Sequence, residues 1–181
     1  MNSLHLNGKL RMLSKEELLT QLMDDYGDMV KKLAYTYVKD INLAEDITQD
    51  VFINCYHNLH VFNENSSYKT WIYRITVNRS KDILKSNAYK RVLPFKKFNL
   101  ISKEKSPELS VIDKSIYNSV ADSLLVLPSK YREILYLFYY EELKIIEINE
   151  ITSLKEATIK TRLSRGKQLL KKELERRKIE L

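Results

Sequence analysis

Apolar residues recur every three or four positions through the N-terminal half of the chain, as one face of an amphipathic helix requires. The first such stripe begins after Ser14, and Glu17 stands three residues on, in the arrangement of a capping box. A second predicted helix begins at Asn42 with Glu45 in the same capping place, and a third follows a polar loop. This half is therefore predicted to be a small helical domain over residues 14–86.

The helical periodicity then disappears and returns only in the last third of the chain. The stretch between holds two prolines and many lysines, which predicts a basic, flexible linker over residues 87–112. Beyond it the pattern predicts one helix, another with Pro128 in its first turn, a short helix around 145–151 and a long helix from Glu156. These elements predict a second helical domain over residues 113–178.

The composition agrees with an all-α fold. The chain has three Gly and three Pro in 181 residues, whereas a β-sandwich or barrel needs a turn roughly every 8–12 residues. The single cysteine, Cys55, can form no internal disulfide, and its place on an apolar stripe predicts a buried core residue in a reducing compartment. The densest apolar run, residues 134–140, is far shorter than the roughly 20 residues that span a bilayer. We therefore expect a cytoplasmic protein without membrane insertion.

Positive charge is concentrated in two segments. The chain has 31 Lys+Arg and 24 Asp+Glu, for a formal net charge of +7. Residues 79–105 carry nine basic and two acidic residues, and residues 155–178 carry ten and three. Clustered Lys and Arg favour a surface that binds a phosphate backbone, and a terminal helix charged for solubility is the alternative. The second predicted helix has the opposite character, with Glu45, Asp46 and Asp50, and would repel DNA.

The C-terminal third has the pattern of a helix-turn-helix motif. Ile148 and Ile151 would lie in the supporting helix, residues 153–155 would form the turn, and residues 156–168 would form the recognition helix. Its outward positions carry side chains that can read base edges in the major groove. These are Thr158, Lys160, Thr161, Ser164 and Arg165. A plain helical hairpin has the same spacing and is the alternative.

Aromatic and amide side chains gather around the start of the third predicted helix. Unstacked single-stranded bases need a stacking face surrounded by hydrogen-bonding groups, and this segment offers both. The residues concerned are Phe62, Asn63, Asn65, Tyr68, Trp71, Asn78 and Lys85. Core packing is the alternative for Trp71, and a solvated polar face is the alternative for Asn78.

Four runs of sequence, in this order and spacing, resemble the extracytoplasmic-function sigma factors of bacterial RNA polymerase, in the sigma-70 family. Residues 43–52, LAEDITQDVF, resemble the segment that docks on the clamp of core polymerase. Residues 68–78, YKTWIYRITVN, resemble the segment that melts the minus-ten element. Residues 127–133, LPSKYRE, resemble the entry to the second domain, and residues 147–148 with 158–166 resemble its helix-turn-helix.

The resemblance implies an alternative sigma factor that binds core RNA polymerase, directs it to specific promoters and helps to melt the minus-ten element. It implies core-polymerase contacts by Glu45, Asp46, Gln49, Asp50 and Phe52. It implies minus-ten DNA contacts by Phe62, Asn63, Tyr68, Trp71, Asn78, Lys81 and Lys85. It implies minus-thirty-five DNA contacts by Thr158, Lys160, Thr161, Arg162, Ser164, Arg165 and Lys167, with Arg162 and Lys167 toward phosphates. The implied partners are core RNA polymerase, promoter DNA and an anti-sigma factor.

The chain departs from the family pattern at the predicted turn. Asn149 stands where the family usually has Ala, and Thr152-Ser153 stand where it usually has Leu-Gly. Glycine accepts a positive φ at a helix end more cheaply than serine does. A buried Asn149 amide without a hydrogen-bond partner would cost about 1–3 kcal/mol. We therefore expect the second domain to be loosely packed or shifted.

Two other functions are alternatives to a sigma factor. A stand-alone helix-turn-helix regulator would bind duplex DNA without polymerase, although nothing in the sequence indicates a ligand pocket or a dimerisation zipper. An enzyme is not expected, because the sequence has no Gly-rich phosphate loop and no nucleophile motif. The three histidines have neither a cysteine cluster nor a Glu-x-x-His pair beside them, so we expect no metal and no cofactor.

Overall fold

A computed structural model describes residues 13–62, 66–86 and 111–179, and describes side chains from residue 119 onward in the last range. Within these ranges the regular structure is helical and contains no strand, which confirms the all-α fold. The α-helices are α1 (Lys15–Val38), α2 (Ile41–Asn58), α3 (Tyr68–Lys85), α4 (Val111–Val126), α5 (Ser129–Leu135), α6 (Ile145–Thr152) and α7 (Glu156–Arg176). A 3-10 turn, Leu59–Val61, follows α2, and a π-helical turn, Tyr136–Tyr140, follows α5.

The first two helices begin at side-chain caps, only one of which was predicted. At α1 the Ser14 hydroxyl accepts from the Glu17 amide at 3.2 Å, and the Glu17 carboxylate accepts from the Ser14 amide at 2.8 Å. This confirms the capping box. The start predicted for α2 at Asn42 is wrong, because the Asp40 carboxylate accepts from the Leu43 amide at 3.1 Å and caps the helix earlier.

Helices α1, α2 and α3 pack around the core of the first domain. Its fully buried side chains include Val30, Leu33, Ile47, Val51, Ile72 and Val77. Cys55 is buried with them, and burial raises the pKa of its thiol to about 12. The thiol is therefore protonated and unreactive at neutral pH, as the apolar pattern around Cys55 predicted.

Helices α4 to α7 form the second cluster, with α5 packed against α7 at its centre. Buried Ile134, Leu137, Ile148 and Ile159 hold these elements together. Gly166 permits a close approach of the two helices, since a Cβ atom at this position would lie 3.1 Å from the Leu135 side chain. The recognition helix is therefore fixed against α5 through a position where a larger side chain would force Leu135 to move.

The buried Arg132 guanidinium ties the end of α4 to both parts of the molecule. It donates to the main-chain oxygens of Leu125 at 2.6 Å and Leu127 at 2.9 Å. It also donates to the main-chain oxygen of Tyr37, at the end of α1, at 3.3 Å. A buried charge needs such hydrogen bonds, and here they connect the two helical domains.

Most of the predicted linker, residues 87–110, lies outside the described part of the chain. Helix α4 begins at Val111, so the last two residues of the predicted linker belong to a helix. Among the described residues, no helix is both long enough and apolar enough to cross a membrane.

Candidate nucleic-acid interface

Helix α2 presents an acidic face to solvent. Glu45, Asp46 and Gln49 are exposed, and the one-turn spacing of Asp46 and Gln49 places them side by side. Asp50 is half-exposed and accepts two hydrogen bonds from the Arg79 guanidinium on α3, the shorter at 2.6 Å. We call Glu45, Asp46 and Gln49 the acidic α2 face, because these three side chains are available to a partner.

The expectation that Phe52 contacts core polymerase is corrected by its burial. Its side chain is only 4% exposed and packs in the core of the first domain. A phenylalanine with so little accessible surface stabilises α2 from the inside. It therefore supports the acidic α2 face from within the core.

Three aromatic rings form a cluster beside the start of α3. The rings of Phe62 and Tyr68 stack with centroids 4.1 Å apart and planes 15° apart. Trp71 lies 5.2 Å from Phe62 and 6.5 Å from Tyr68, centroid to centroid. All three side chains are half-buried, so the cluster is a platform with one side packed and the other open. Asn63, predicted beside it, lies outside the described residues.

The polar residues predicted on α3 differ in their availability. Asn78 and Lys85 are exposed, and Lys85 pairs with Asp82 at 3.6 Å on the surface. Lys81 is instead half-buried, with its ammonium 2.7 Å from a carboxylate oxygen of Glu133 on α5. In this conformation Lys81 is therefore occupied by the second domain.

The turn of the helix-turn-helix is closed by the residues that depart from the family pattern. The Asn149 side-chain amide donates to the Leu154 oxygen at 2.7 Å, and the Thr152 hydroxyl donates to the Ile148 oxygen at 2.6 Å. Ser153 adopts the left-handed conformation with φ 57°. The reason for expecting a loosely packed second domain does not hold at this turn, because the Leu154 oxygen supplies the partner that the Asn149 amide needs.

The recognition helix α7 lines a basic cavity of about 340 Å³. Its walls carry three cations, two threonine hydroxyls and one tyrosine, groups suited to phosphate or base edges. The lining residues are Lys130, Tyr131, Ala157, Thr158, Thr161, Arg162 and Arg165. Lys130 and Tyr131 of α5 were not among the predicted contacts. Their position inside the LPSKYRE run, next to the predicted motif, was the available signal.

The other predicted residues of α7 lie away from this cavity. Lys160, Ser164 and Lys167 are exposed, and Lys160 pairs with Glu156 at 3.5 Å. The Lys167 ammonium lies 5.9 Å from the centre of the Tyr139 ring. It lines a separate apolar groove of about 930 Å³ between α1, α4 and α7. The cavity therefore brings together Thr158, Thr161, Arg162 and Arg165 but leaves Lys160, Ser164 and Lys167 outside it.

No group of three His, Cys, Asp or Glu side chains within the described ranges is placed to hold a metal ion.

Two family models match the chain in order. The model for sigma-70 region 2 matches residues 22–89, and the model for sigma-70 region 4 matches residues 117–170. The first range contains the acidic α2 face and the aromatic cluster. The second contains the helix-turn-helix and the basic cavity.

Curated proteins and solved structures point the same way. The chain is 31% identical to the ECF RNA polymerase sigma factor SigW of Bacillus subtilis strain 168, over 88% of this chain and 90% of SigW. It is 30% identical to SigV of the same organism, over 92% and 96% of the two chains. Its fold is similar to CnrH, solved with the cytosolic domain of CnrY, with a TM-score of 0.65, 18% identity and coverage of 93% and 94%. It is also similar to RpoE of Bartonella quintana, solved with the anti-sigma factor NepR, with a TM-score of 0.63, 18% identity and coverage of 86% and 96%.

Proposed function

The chain belongs to the extracytoplasmic-function sigma factors of the sigma-70 family, and from this membership we propose which of its surfaces bind polymerase and which bind promoter DNA. As an alternative sigma factor it acts in transcription initiation and directs RNA polymerase to promoters. The proposal concerns which of its residues contact polymerase and which contact DNA. One observation carries the proposal: the exposed Glu45, Asp46 and Gln49 form an acidic face on a chain whose net charge is +7.

The acidic α2 face is proposed to bind core polymerase. Carboxylates repel the phosphates of DNA, so the partner of Glu45 and Asp46 is a basic protein surface. Asp46 and Gln49 lie one turn apart and are exposed, so one partner surface can contact both. Asp50 acts indirectly, since its pairing with Arg79 fixes α2 against α3.

The aromatic cluster and the exposed end of α3 are proposed to bind the melted minus-ten strand. Bases stack on aromatic faces with a gain of about 1–3 kcal/mol each. Stacking between Phe62 and Tyr68 covers one face of each ring and leaves the outer side of the platform for a base. Asn78 is exposed on the same helix and offers the amide that reads a base edge.

The basic cavity beside α7 is proposed to bind the minus-thirty-five duplex. Arg162, Arg165 and Lys130 supply cations for phosphates, and Thr158 and Thr161 supply hydroxyls that can reach base edges. Lys130 was not predicted from sequence and is included in the proposal because it lines the same cavity as Arg162 and Arg165. Lys160 and Ser164 retain their proposed base contacts as exposed neighbours on α7.

The two domain ranges predicted from sequence, residues 14–86 and 113–178, are proposed as the functional units. An anti-sigma factor is proposed as a further partner, since RpoE of Bartonella quintana is solved with one. The chain is proposed to work in the cytoplasm, where polymerase and promoters are found, and without a catalytic step of its own. A stand-alone regulator would leave the acidic α2 face without a partner.

The test of the polymerase assignment is the double variant Asp46→Ala with Gln49→Ala. Both side chains are exposed, so the variant should fold as the wild type does. Its affinity for core polymerase should fall about tenfold or more, which corresponds to the loss of contacts worth about 1.4 kcal/mol or more. Fluorescence anisotropy of the labelled chain titrated with core polymerase measures this.

Gln21→Ala with Asp24→Ala is the matched control, since these residues have the same types and spacing on the exposed side of α1. It should bind core polymerase as the wild type does. Equal affinities for the wild type and the α2 variant would contradict the assignment.

A further inference from the structure

The cavity beside the recognition helix carries methyl groups as well as cations. Ala157, the second residue of α7, is exposed and lines this cavity, and so does Thr161 one turn later. Residues four apart lie on the same face of a helix, so the two side chains stand next to each other. Ala157 has no part in the polar contacts proposed above, because its side chain is a single methyl group.

The Thr161 hydroxyl is engaged with its own helix. It donates to the main-chain oxygen of Ala157, at 2.8 Å. A threonine that bonds the carbonyl four residues earlier directs its oxygen toward the backbone and presents its γ-methyl outward. The hydroxyl oxygen can still accept a hydrogen bond, but its hydrogen is no longer available to a base. Thr161 therefore adds a second methyl group beside the Ala157 side chain.

Thymine is the base whose major-groove edge fits two such methyl groups. Its C5-methyl group is the apolar feature of that edge, and alanine and threonine methyl groups are suited to contact it. The edge of a G·C pair presents donors and acceptors instead, and an apolar cover would leave these groups without partners. The N-terminal residues of a recognition helix are also the ones that reach base edges. The two methyl groups therefore have the place and the chemistry to recognise a thymine.

We propose that Ala157 and Thr161 form a methyl pair that reads the C5-methyl group of one thymine in the minus-thirty-five duplex, and so determine promoter specificity at that base pair. The inference rests on the proposed binding of this duplex in the cavity. The cations of the cavity walls, Lys130, Arg162 and Arg165, contribute affinity for any sequence through the phosphates. The methyl pair contributes the preference for one base.

The test begins with the sequence that the chain prefers. A library of duplexes randomised across the minus-thirty-five region is bound by the full chain assembled with core polymerase, and the bound duplexes are sequenced. We expect a base pair at which thymine is strongly enriched. Each thymine of the selected sequence is then replaced singly by deoxyuridine, which removes only the C5-methyl group. Affinities for the matched fluorescent duplexes give a thymine-to-uracil ratio for each position.

Two variants each remove one methyl group of the pair. Thr161→Ser keeps the hydroxyl that bonds the Ala157 oxygen but lacks the γ-methyl, and Ala157→Gly lacks the β-methyl. Thr20→Ser is the matched control, because the Thr20 hydroxyl makes the same kind of bond, to the Glu16 oxygen at 3.0 Å, on the exposed side of α1. Each variant is compared on thymine and uracil duplexes, so a loss of stability that affects both affinities cancels in the ratio.

The wild type and Thr20→Ser should bind the thymine duplex about threefold more tightly than the uracil duplex at one position, as expected for the burial of one methyl group. In Thr161→Ser and Ala157→Gly the two affinities should become nearly equal. A cytosine at the same position should bind the wild type more tightly when it carries a 5-methyl group, because that methyl occupies the same place in the major groove.

Equal affinities for thymine and uracil at every position of the wild-type complex would overturn the methyl pair, and so would a wild-type ratio retained in either variant. A selected sequence without an enriched thymine would overturn it as well. Failure of the underlying DNA assignment is seen at an earlier step, because the selection would then return no sequence preference in the minus-thirty-five region. That result would overturn the proposed use of the cavity and the methyl pair with it.

Discussion

At the scale of single residues, Asn149 has a structural role that its chemistry explains. Its side-chain amide spans the turn to the Leu154 oxygen and so joins the end of α6 to the residue before α7. The alanine usual in the family at this place could make no such bond. In this chain the amide compensates for a turn that has serine, rather than glycine, in the left-handed conformation.

Asn149→Ala should lower the free energy of unfolding by about 1 kcal/mol, the usual worth of a hydrogen bond to a partly buried carbonyl. Urea denaturation followed by circular dichroism measures the change. Asn54→Ala is a suitable control, because Asn54 is exposed on α2 and contacts only Asn58 on the same helix. Equal losses in the two variants would show that the Asn149 bond adds nothing specific to the turn.

At the scale of the elements, the junction between α1 and α2 contains a charge that folding disfavours. Lys39 ends α1 in the left-handed conformation with φ 56°. Burial, and then the nearby Arg132 charge, lowers the pKa of Lys39 from 10.5 to about 8. Above pH 8 the folded chain releases this proton while the unfolded chain retains it, so stability contributed at Lys39 rises with pH from about 8 toward 10.5.

The wild type should therefore gain stability relative to Lys39→Gln as the pH is raised from 7 to 9.5, because only the wild type loses a buried charge in this interval. Paired urea denaturation curves at the two pH values measure the difference. Tyrosines in the unfolded chain begin to titrate below pH 10, but both proteins carry the same tyrosines, so their contribution cancels in the comparison. A difference between the two proteins that does not change with pH would contradict this account of Lys39.

The helices were largely predictable, because where a helix begins and ends depends mainly on residues close together in the sequence. The Ser14 capping box, the helix after Ser67 and the turn at residues 153–155 follow from spacing within a few residues. The start of α2 was predicted wrongly because Asp40 and Asn42 are both residue types that cap a helix. The sequence alone does not show which of the two precedes the first helical residue. The burial of Phe52 was not predicted, because the resemblance to the family motif indicated a contact with core polymerase. The apolar spacing on α2 is compatible with a place in the core.

At the scale of the whole molecule, the contacts between the domains were not predictable from sequence. Glu133 and Lys81 are 52 positions apart (133 − 81 = 52) and carry no mutual pattern. The same holds for Tyr73 with Glu141 and for Arg132 with Tyr37. Charge counts predicted basic segments that bind DNA, but only the fold shows that Lys81 and Arg162 share the buried Glu133 carboxylate.

On the proposed assignment the molecule divides its surface between two partners. The acidic α2 face is proposed to bind core polymerase, and α3 and the basic cavity are proposed to bind promoter DNA.

The most direct test is binding of the purified chain to a fluorescent promoter-like duplex, with and without core RNA polymerase. The account predicts sequence-selective binding only when core polymerase is present, and only weak, salt-sensitive binding without it. Tight, sequence-selective binding by the free chain would contradict it, and would identify an autonomous helix-turn-helix regulator instead.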